Sequence, residues 1–148
     1  MNETYPIRRL KADEIQLALD LAWEVFLQYE APDYSDAGVR AFRAYLDNKE
    51  KTGAMQYWGA FDGEQLVGTM MVRPPQHIGG FFVRGDYHRK GIGRALFDAM
   101  RTAFEVQTFT VNSSPYAVGV YERLGFIAES DEQLADGIRF TPMRYLKK

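Results

Sequence analysis

Residues 85–100 read GDYHRKGIGRALFDAM, and the reading of this stretch decides the fold. Gly85, Gly91 and Gly93 are interspersed with His88, Arg89, Lys90 and Arg94, and Arg84 stands just before them. Ile92, Ala95, Leu96, Ala99, Met100 and Ala103 then fall on one face of a helix. The first amides of a helix have no intrahelical partner and carry the positive end of its dipole. Glycines let a ligand approach the backbone, and Arg89 and Lys90 add charge. The segment has the physical content of a pyrophosphate site. Taken alone it reads equally well as a solvated basic loop.

Two phosphate motifs fail on this segment. A P-loop needs Ser or Thr after its Gly-Lys pair, whereas Lys90 is followed by Gly91. The dinucleotide fingerprint places a third glycine where Leu96 stands.

Working outward, QHIGGFFV (76–83) reads as a short apolar strand before the loop. Its paired Gly79 and Gly80 predict a bulge or a close backbone approach. QTFTVN (107–112) is a buried strand after the helix, so residues 76–112 form a βαβ crossover and these two strands must be parallel. Upstream, TYPIRRL (4–10) predicts a first strand. Apolar spacing from Ile15 to Tyr29 predicts a helix with Asp13 as its N-cap, broken at Pro32. Ser35 or Asp36 caps a second helix that Asn48 to Gly53 ends. YWGAFDGEQLVGTMMV (57–72) is two strands around an Asp62-Gly63 turn. Downstream, Pro115 suits the first turn of a helix through about Leu124, and Gly125 its stop. FIAES (126–130) and IRFTPMRYL (138–146) are the last strands, separated by the acidic turn DEQLADG. The order β, α, α, β, β, β, α, β, α, β, β predicts an α/β (α+β) fold in one domain over residues 1–148. Its centre is a mixed, mostly antiparallel sheet with helices on both faces.

Composition narrows the function. The 148 residues carry a net charge of −2 and no cysteine. There is then no thiolate nucleophile and no Cys-built metal site, and two histidines without an HExxH pattern predict no zinc centre. No apolar run reaches the roughly 20 residues of a membrane span, and MNETYPIRRL lacks the pattern of a secretory signal. Cytoplasmic residence without a membrane partner is the expectation. The basic loop is too small a face for nucleic acid. A small anionic ligand fits it better.

Two longer stretches carry a resemblance. Val83 to Leu96, VRGDYHRKGIGRAL, resembles the acetyl-coenzyme A loop of GNAT-type N-acetyltransferases. Asn112 to Phe126, NSSPYAVGVYERLGF, is similar to that family's second motif, which ends in Tyr-Glu-Lys-Leu-Gly-Phe. The spacing of the motifs and the element order agree over nearly the whole chain. His88 departs from the family's usual Arg or Gln, and Ser114 from a frequent Asn.

The resemblance implies an acyl-coenzyme A N-acyltransferase fold. It also implies an acetyl-coenzyme A-dependent N-acetyltransferase, with acetyl-coenzyme A as co-substrate and a small-molecule or protein amine as acceptor. The cofactor arm would lie between splayed strands along Phe81, Phe82 and Val83, whose amides polarise the thioester carbonyl. The pyrophosphate would meet His88, Arg89, Lys90, Gly91, Ile92, Gly93 and Arg94. Asn112 and Ser114 are further candidate contacts, each with a structural alternative as strand end or helix cap. Tyr121 would be the acid that protonates the leaving thiolate. His77 is the candidate base, with Glu24 and Glu30 as weaker ones. Tyr29, Tyr34, Phe42 and Trp58 would line the acceptor site, and Glu30, Asp33 and Asp36 would favour a cationic amine. The terminal strand offers pairing across a homodimer. A catalytically silent acyl-coenzyme A-binding or regulatory domain is the alternative, and it would not need Tyr121. An ATP-binding protein would need a P-loop lysine-hydroxyl pair that is missing.

Overall fold

The computed structural model describes residues 5–146. Thr4 of the expected first strand lies outside them. Strands β1 (Ile7–Arg9), β2 (Gln56–Asp62), β3 (Gln65–Arg73) and β4 (His77–Val83) pair in sequence, each antiparallel to the last. The chain then crosses over through α4 (Ile92–Thr102) to β5 (Thr108–Ser113), which runs parallel to β4. After α5 (Val118–Leu124), β6 (Ile127–Ala128), β7 (Gln133–Ala135) and β8 (Ile138–Leu146) complete the sheet. Its order is β1-β2-β3-β4-β5-β8-β6, with β7 also on β8. Only β4 and β5 are parallel neighbours, as the crossover requires.

The parallel contact is brief. His77 faces Thr110 and Ile78 faces Val111, and there the ladder stops. The cause lies on β4's other edge. Met71 faces Gly80 but Val72 faces Ile78, so Gly79 is an extra, unpaired residue. Such a bulge bends the strand that carries it. β4 leans away from β5 beyond Ile78, and a gap opens where the sequence placed its paired glycines.

Both faces of the sheet are covered. Helices α1 (Ile15–Val25) and α2 (Asp36–Asp47) pack Leu19, Ala22, Val25 and Leu46 on one face, against Tyr57, Met71 and Phe82. Helices α4 and α5 pack Leu96, Phe97, Met100 and Tyr121 on the other, against Val67, Met70, Phe109 and Val111. Adjacent residues such as Met70 and Met71 go to opposite layers because strand side chains alternate.

Local details depart from the sequence expectations. Asp13 does not cap α1. A 3-10 turn, Ala12–Glu14, precedes the helix. Glu14 closes it by accepting the Lys11 amide at 2.9 Å and both Arg8 guanidinium nitrogens at 2.7 Å. These bonds, Arg8 first and the Lys11 amide second, hold the Glu14 carboxyl down at about 2. The helix is α-helical to Val25, widens into a π turn over Phe26–Glu30, and tightens into a 3-10 turn over Ala31–Asp33 around Pro32. Ser35 caps α2 by accepting the Gly38 amide at 3.2 Å. Asn48 starts a further helical turn, α3 (Lys49–Gly53), by accepting the Lys51 amide at 3.0 Å. Pro115 lies before α5 and not in its first turn. The acidic turn contains β7, in a hairpin with β8 through Asp136 (φ 54°) and Gly137 (φ 80°). Two successive positive φ angles are what a tight two-residue hairpin turn demands.

Candidate active site

Two cavities meet at the splay of β4 and β5. The one on the α4 side, about 520 Å³, is lined by Val83, His88, Arg89, Gly91, Gly93 and Arg123 among others. The one on the α2 side, about 430 Å³, is walled by Tyr34, Phe42, Tyr45, Phe82 and Phe140. Glu30, Phe81, Phe82 and Ala117 border both. The cavities therefore adjoin along these four residues, as an α4 half and an α2 half.

The α4 half is built by the basic loop. Gly91 takes φ +81° as the residue before α4, a conformation that costs an L-residue about 1–2 kcal/mol. Arg89 also has positive φ, 64°. A side chain at Gly93 would put its Cβ 2.7 Å from the Phe81 ring, so glycine there lets the helix start close to β4. Ile92 is buried in the core, leaving its amide at the helix mouth. The loop is pinned at three points. The Tyr87 hydroxyl donates to Asp62 at 2.6 Å, Arg84 pairs with Glu24 at 3.1 Å, and a His88 ring nitrogen lies 2.7 Å from the Val83 carbonyl oxygen. Tyr29 stands against His88 and Tyr116, with ring centroids 4.9 and 5.3 Å away.

The sequence candidates divide accordingly. His88, Arg89, Gly91, Ile92, Gly93 and Val83 line the α4 half, while Asn112, Ser114, His77 and Tyr121 line the α2 half. Lys90 and Arg94 lie outside both linings. The Arg94 guanidinium instead donates to the Arg123 carbonyl at 2.7 Å. Glu24 is the loop's ion-pair partner. Trp58 belongs to the opposite core, beside Phe104 at 5.8 Å, and does not line the acceptor side as the sequence suggested. Tyr34 and Phe42 do line it.

Tyr121 is 4% exposed, with Phe81 and Phe126 rings 5.7 and 5.3 Å away. Burial first, and the nearby Glu30 second, raise its phenol well above the ordinary tyrosine range. It is a neutral phenol and not a phenolate. Glu30 sits at the end of the π turn, against the two cavities. Loss of solvent raises its carboxyl to about 7, the Ser114 hydroxyl opposes that rise, and Asp33 adds to it. A carboxyl with this value exchanges protons readily near neutral pH. Ser114 accepts the Ala117 amide at 3.2 Å, just before α5, in keeping with its structural alternative.

His77 stands at the far end of the α2 half. Its Nδ1 lies 2.8 Å from the Thr110 hydroxyl, and burial, then Arg73, lower its pKa. The imidazole is neutral at physiological pH. Tyr45 donates to the Gly79 carbonyl at 3.1 Å, tying α2 to the bulge. Sequence reasoning missed Tyr45 of α2, Lys51 of α3 and Arg73 at the end of β3 as cavity residues, because their meeting depends on how these elements pack. Among the described residues, no group of His, Cys, Asp and Glu is placed to hold a metal, and no helix is long and apolar enough to cross a membrane.

Residues 30–147 match the acetyltransferase (GNAT) domain family. A Bacillus subtilis (strain 168) protein bearing an acetyltransferase name is 30% identical over 92 residues, which are 58% of this chain and 63% of that protein's length. The crystal structure of a GCN5-related N-acetyltransferase from Rhodopseudomonas palustris superposes with a TM-score of 0.84 at 21% identity, covering 99% of this chain and 98% of that one. A PaiA N-acetyltransferase of Thermoplasma acidophilum, solved with coenzyme A, gives 0.72 at 18% identity, with 97% and 99% covered.

Proposed function

Since the chain belongs to the acetyltransferase (GNAT) family, we propose that it moves an acetyl group from acetyl-coenzyme A to a primary amine by direct attack in a ternary complex. One observation carries this reading. The glycine-lined helix mouth and the aromatic cavity open onto a single gap in the sheet, with Glu30 and Tyr121 beside it.

The residues fit the co-substrate. The mouth of α4, with Arg89 beside it, suits the pyrophosphate. β4 beyond its bulge has an edge that β5 does not pair, so amides at Phe81 to Val83 can meet the arm and the thioester oxygen. Acetyl-coenzyme A supplies the activated thioester. Holding amine and thioester in register is the largest contribution available where no covalent enzyme intermediate forms. Glu30 accepts the amine's proton, directly or through a water. As the new C–N bond forms and the C–S bond breaks, Tyr121 gives its proton to the departing sulfur. We assign the base to Glu30 ahead of His77, because Glu30 borders both cavities and its charge is felt at Tyr121. His77 sits at the other end, bonded to Thr110.

Calorimetric titration of acetyl-coenzyme A into wild type and into a Gly91→Glu, Gly93→Glu double variant tests the reading. Binding by the wild type that the folded variant loses is expected. Absence of binding to the folded wild type overturns it.

A further inference from the structure

The aromatic cavity is bipolar. Glu30 lies at the end shared with the α4 half, while Lys51 and Arg73 line the same cavity elsewhere. Their places follow from the strands. Arg73 faces His77 across β3 and β4, and His77 is bonded to Thr110 of β5. Glu30 lines the cavity together with Ser114, just past the end of β5, and the Ser114 hydroxyl acts on its carboxyl. The four residues from Thr110 to Ser114 separate the two ends by about 13 Å at ~3.3 Å per residue. Between them stand Phe42, Tyr45, Phe82 and the bare backbone of Gly79 and Gly80.

The two cations have no carboxylate partner among the described residues. Most other arginines with a described role are committed, as Arg8 is to Glu14, Arg84 to Glu24 and Arg139 to Glu132. Arg73 and Lys51 are exposed residues that line the cavity, and the Arg73 charge acts on both Tyr45 and His77. A planar guanidinium with a second cation nearby is suited to a carboxylate, which it can grip with two parallel hydrogen bonds.

We propose that the α2-side cavity selects an acceptor bearing a carboxylate as well as an amine, with the amine at Glu30, the carboxylate at Arg73 and Lys51, and an apolar spacer along the aromatic walls. The inference rests on the acetyl-transfer reading above and names its substrate class. The side chains at both ends take up part of that length, so the spacer is shorter than the strand separation. It corresponds to an ω-amino acid of about four to seven carbons.

The test compares ω-amino acids of that range with n-alkylamines and α,ω-diamines of matched length, reading thiol release from acetyl-coenzyme A as kcat/KM. Calorimetric binding of the same compounds to the coenzyme A-loaded protein is the second readout. The amino acids are expected to exceed both comparison series by at least about tenfold, the size of one charge-assisted contact of roughly 1.4 kcal/mol. Arg73→Ala and Lys51→Ala should each erode that preference, and Arg73→Glu should transfer it to the diamines. Equal use of all three series, or a preference that survives Arg73→Glu, overturns the substrate class and leaves acetyl transfer standing. Failure of every compound to bind or react, with acetyl-coenzyme A bound, also overturns the class. Loss of acetyl-coenzyme A binding itself sinks the underlying reading instead.

Discussion

Glu30, at the end of the π turn, and Ser114, in the loop after β5, line the aromatic cavity together, and Glu30 also borders the α4 half. The Ser114 hydroxyl favours the ionised carboxylate, and burial favours the neutral acid. Burial wins. The residue therefore titrates near 7 and not near the ordinary value of 4.5.

A pH profile follows from that balance. If ionised Glu30 is the base, kcat/KM rises with pH through about 7 and then levels. Glu30→Gln should abolish this limb and lower the rate by about 10²- to 10⁴-fold. Ser114→Ala removes the hydroxyl that favours ionisation, so its limb should move to higher pH. An unshifted limb in Ser114→Ala would assign the titration to another group.

The same shift has a stability consequence of opposite sign. Between about 4.5 and about 7 the folded chain holds a proton on Glu30 that the unfolded chain has released. Folding is therefore favoured at the acid side of this window, and the contribution is lost as pH rises through 7. Glu30→Gln stays neutral throughout, so its melting temperature relative to wild type should climb from pH 5 to pH 8. Thermal melts across that range check the sign.

Tyr121 separates chemistry from packing. Its ring contacts Phe81 and Phe126 in the core, and Tyr121→Phe keeps those contacts. The melting temperature should stay within a few degrees while turnover falls about tenfold or more. Equal turnover would reduce Tyr121 to a core aromatic.

How far the sequence reached depends on what each signal encodes. Gly91 and the helix periodicity after it are local, so the loop and α4 were legible. The crossover fixed the parallel pair, and Gly79-Gly80 located the bulge. Glu30 was undervalued because its environment is made by residues 84 positions away, at Ser114. The π turn that presents it has no local sequence mark beyond the Pro32 that follows. Trp58 was misplaced by a single strand position: Tyr57 faces the α1 layer, and Trp58 the other. The β7–β8 hairpin was missed although Asp136-Gly137 is the same signal as Asp62-Gly63, because acidic neighbours made it look like a plain turn.

That hairpin is also the last wall of the aromatic cavity, through Ala135, Ile138 and Phe140. Its turn is locked against α2. A Cβ on Gly137 would clash with the Gly38 amide nitrogen, and Gly137 has φ +80°. Gly137→Ala therefore meets backbone strain and a backbone clash together. The strain alone costs about 1–2 kcal/mol, and the clash is relieved only if the hairpin lifts from α2. Tyr34 would then lose its 3.2 Å bond to the Arg139 carbonyl. The expected outcome is a raised KM for the amine with little change in acetyl-coenzyme A affinity, since the α4 half is lined by other elements. Gly63→Ala, at φ +60° with nothing within 4 Å of the added carbon, is the matched control for strain without a clash. If both variants leave amine KM at the wild-type value, the hairpin is a passive edge and the cavity ends at Tyr34.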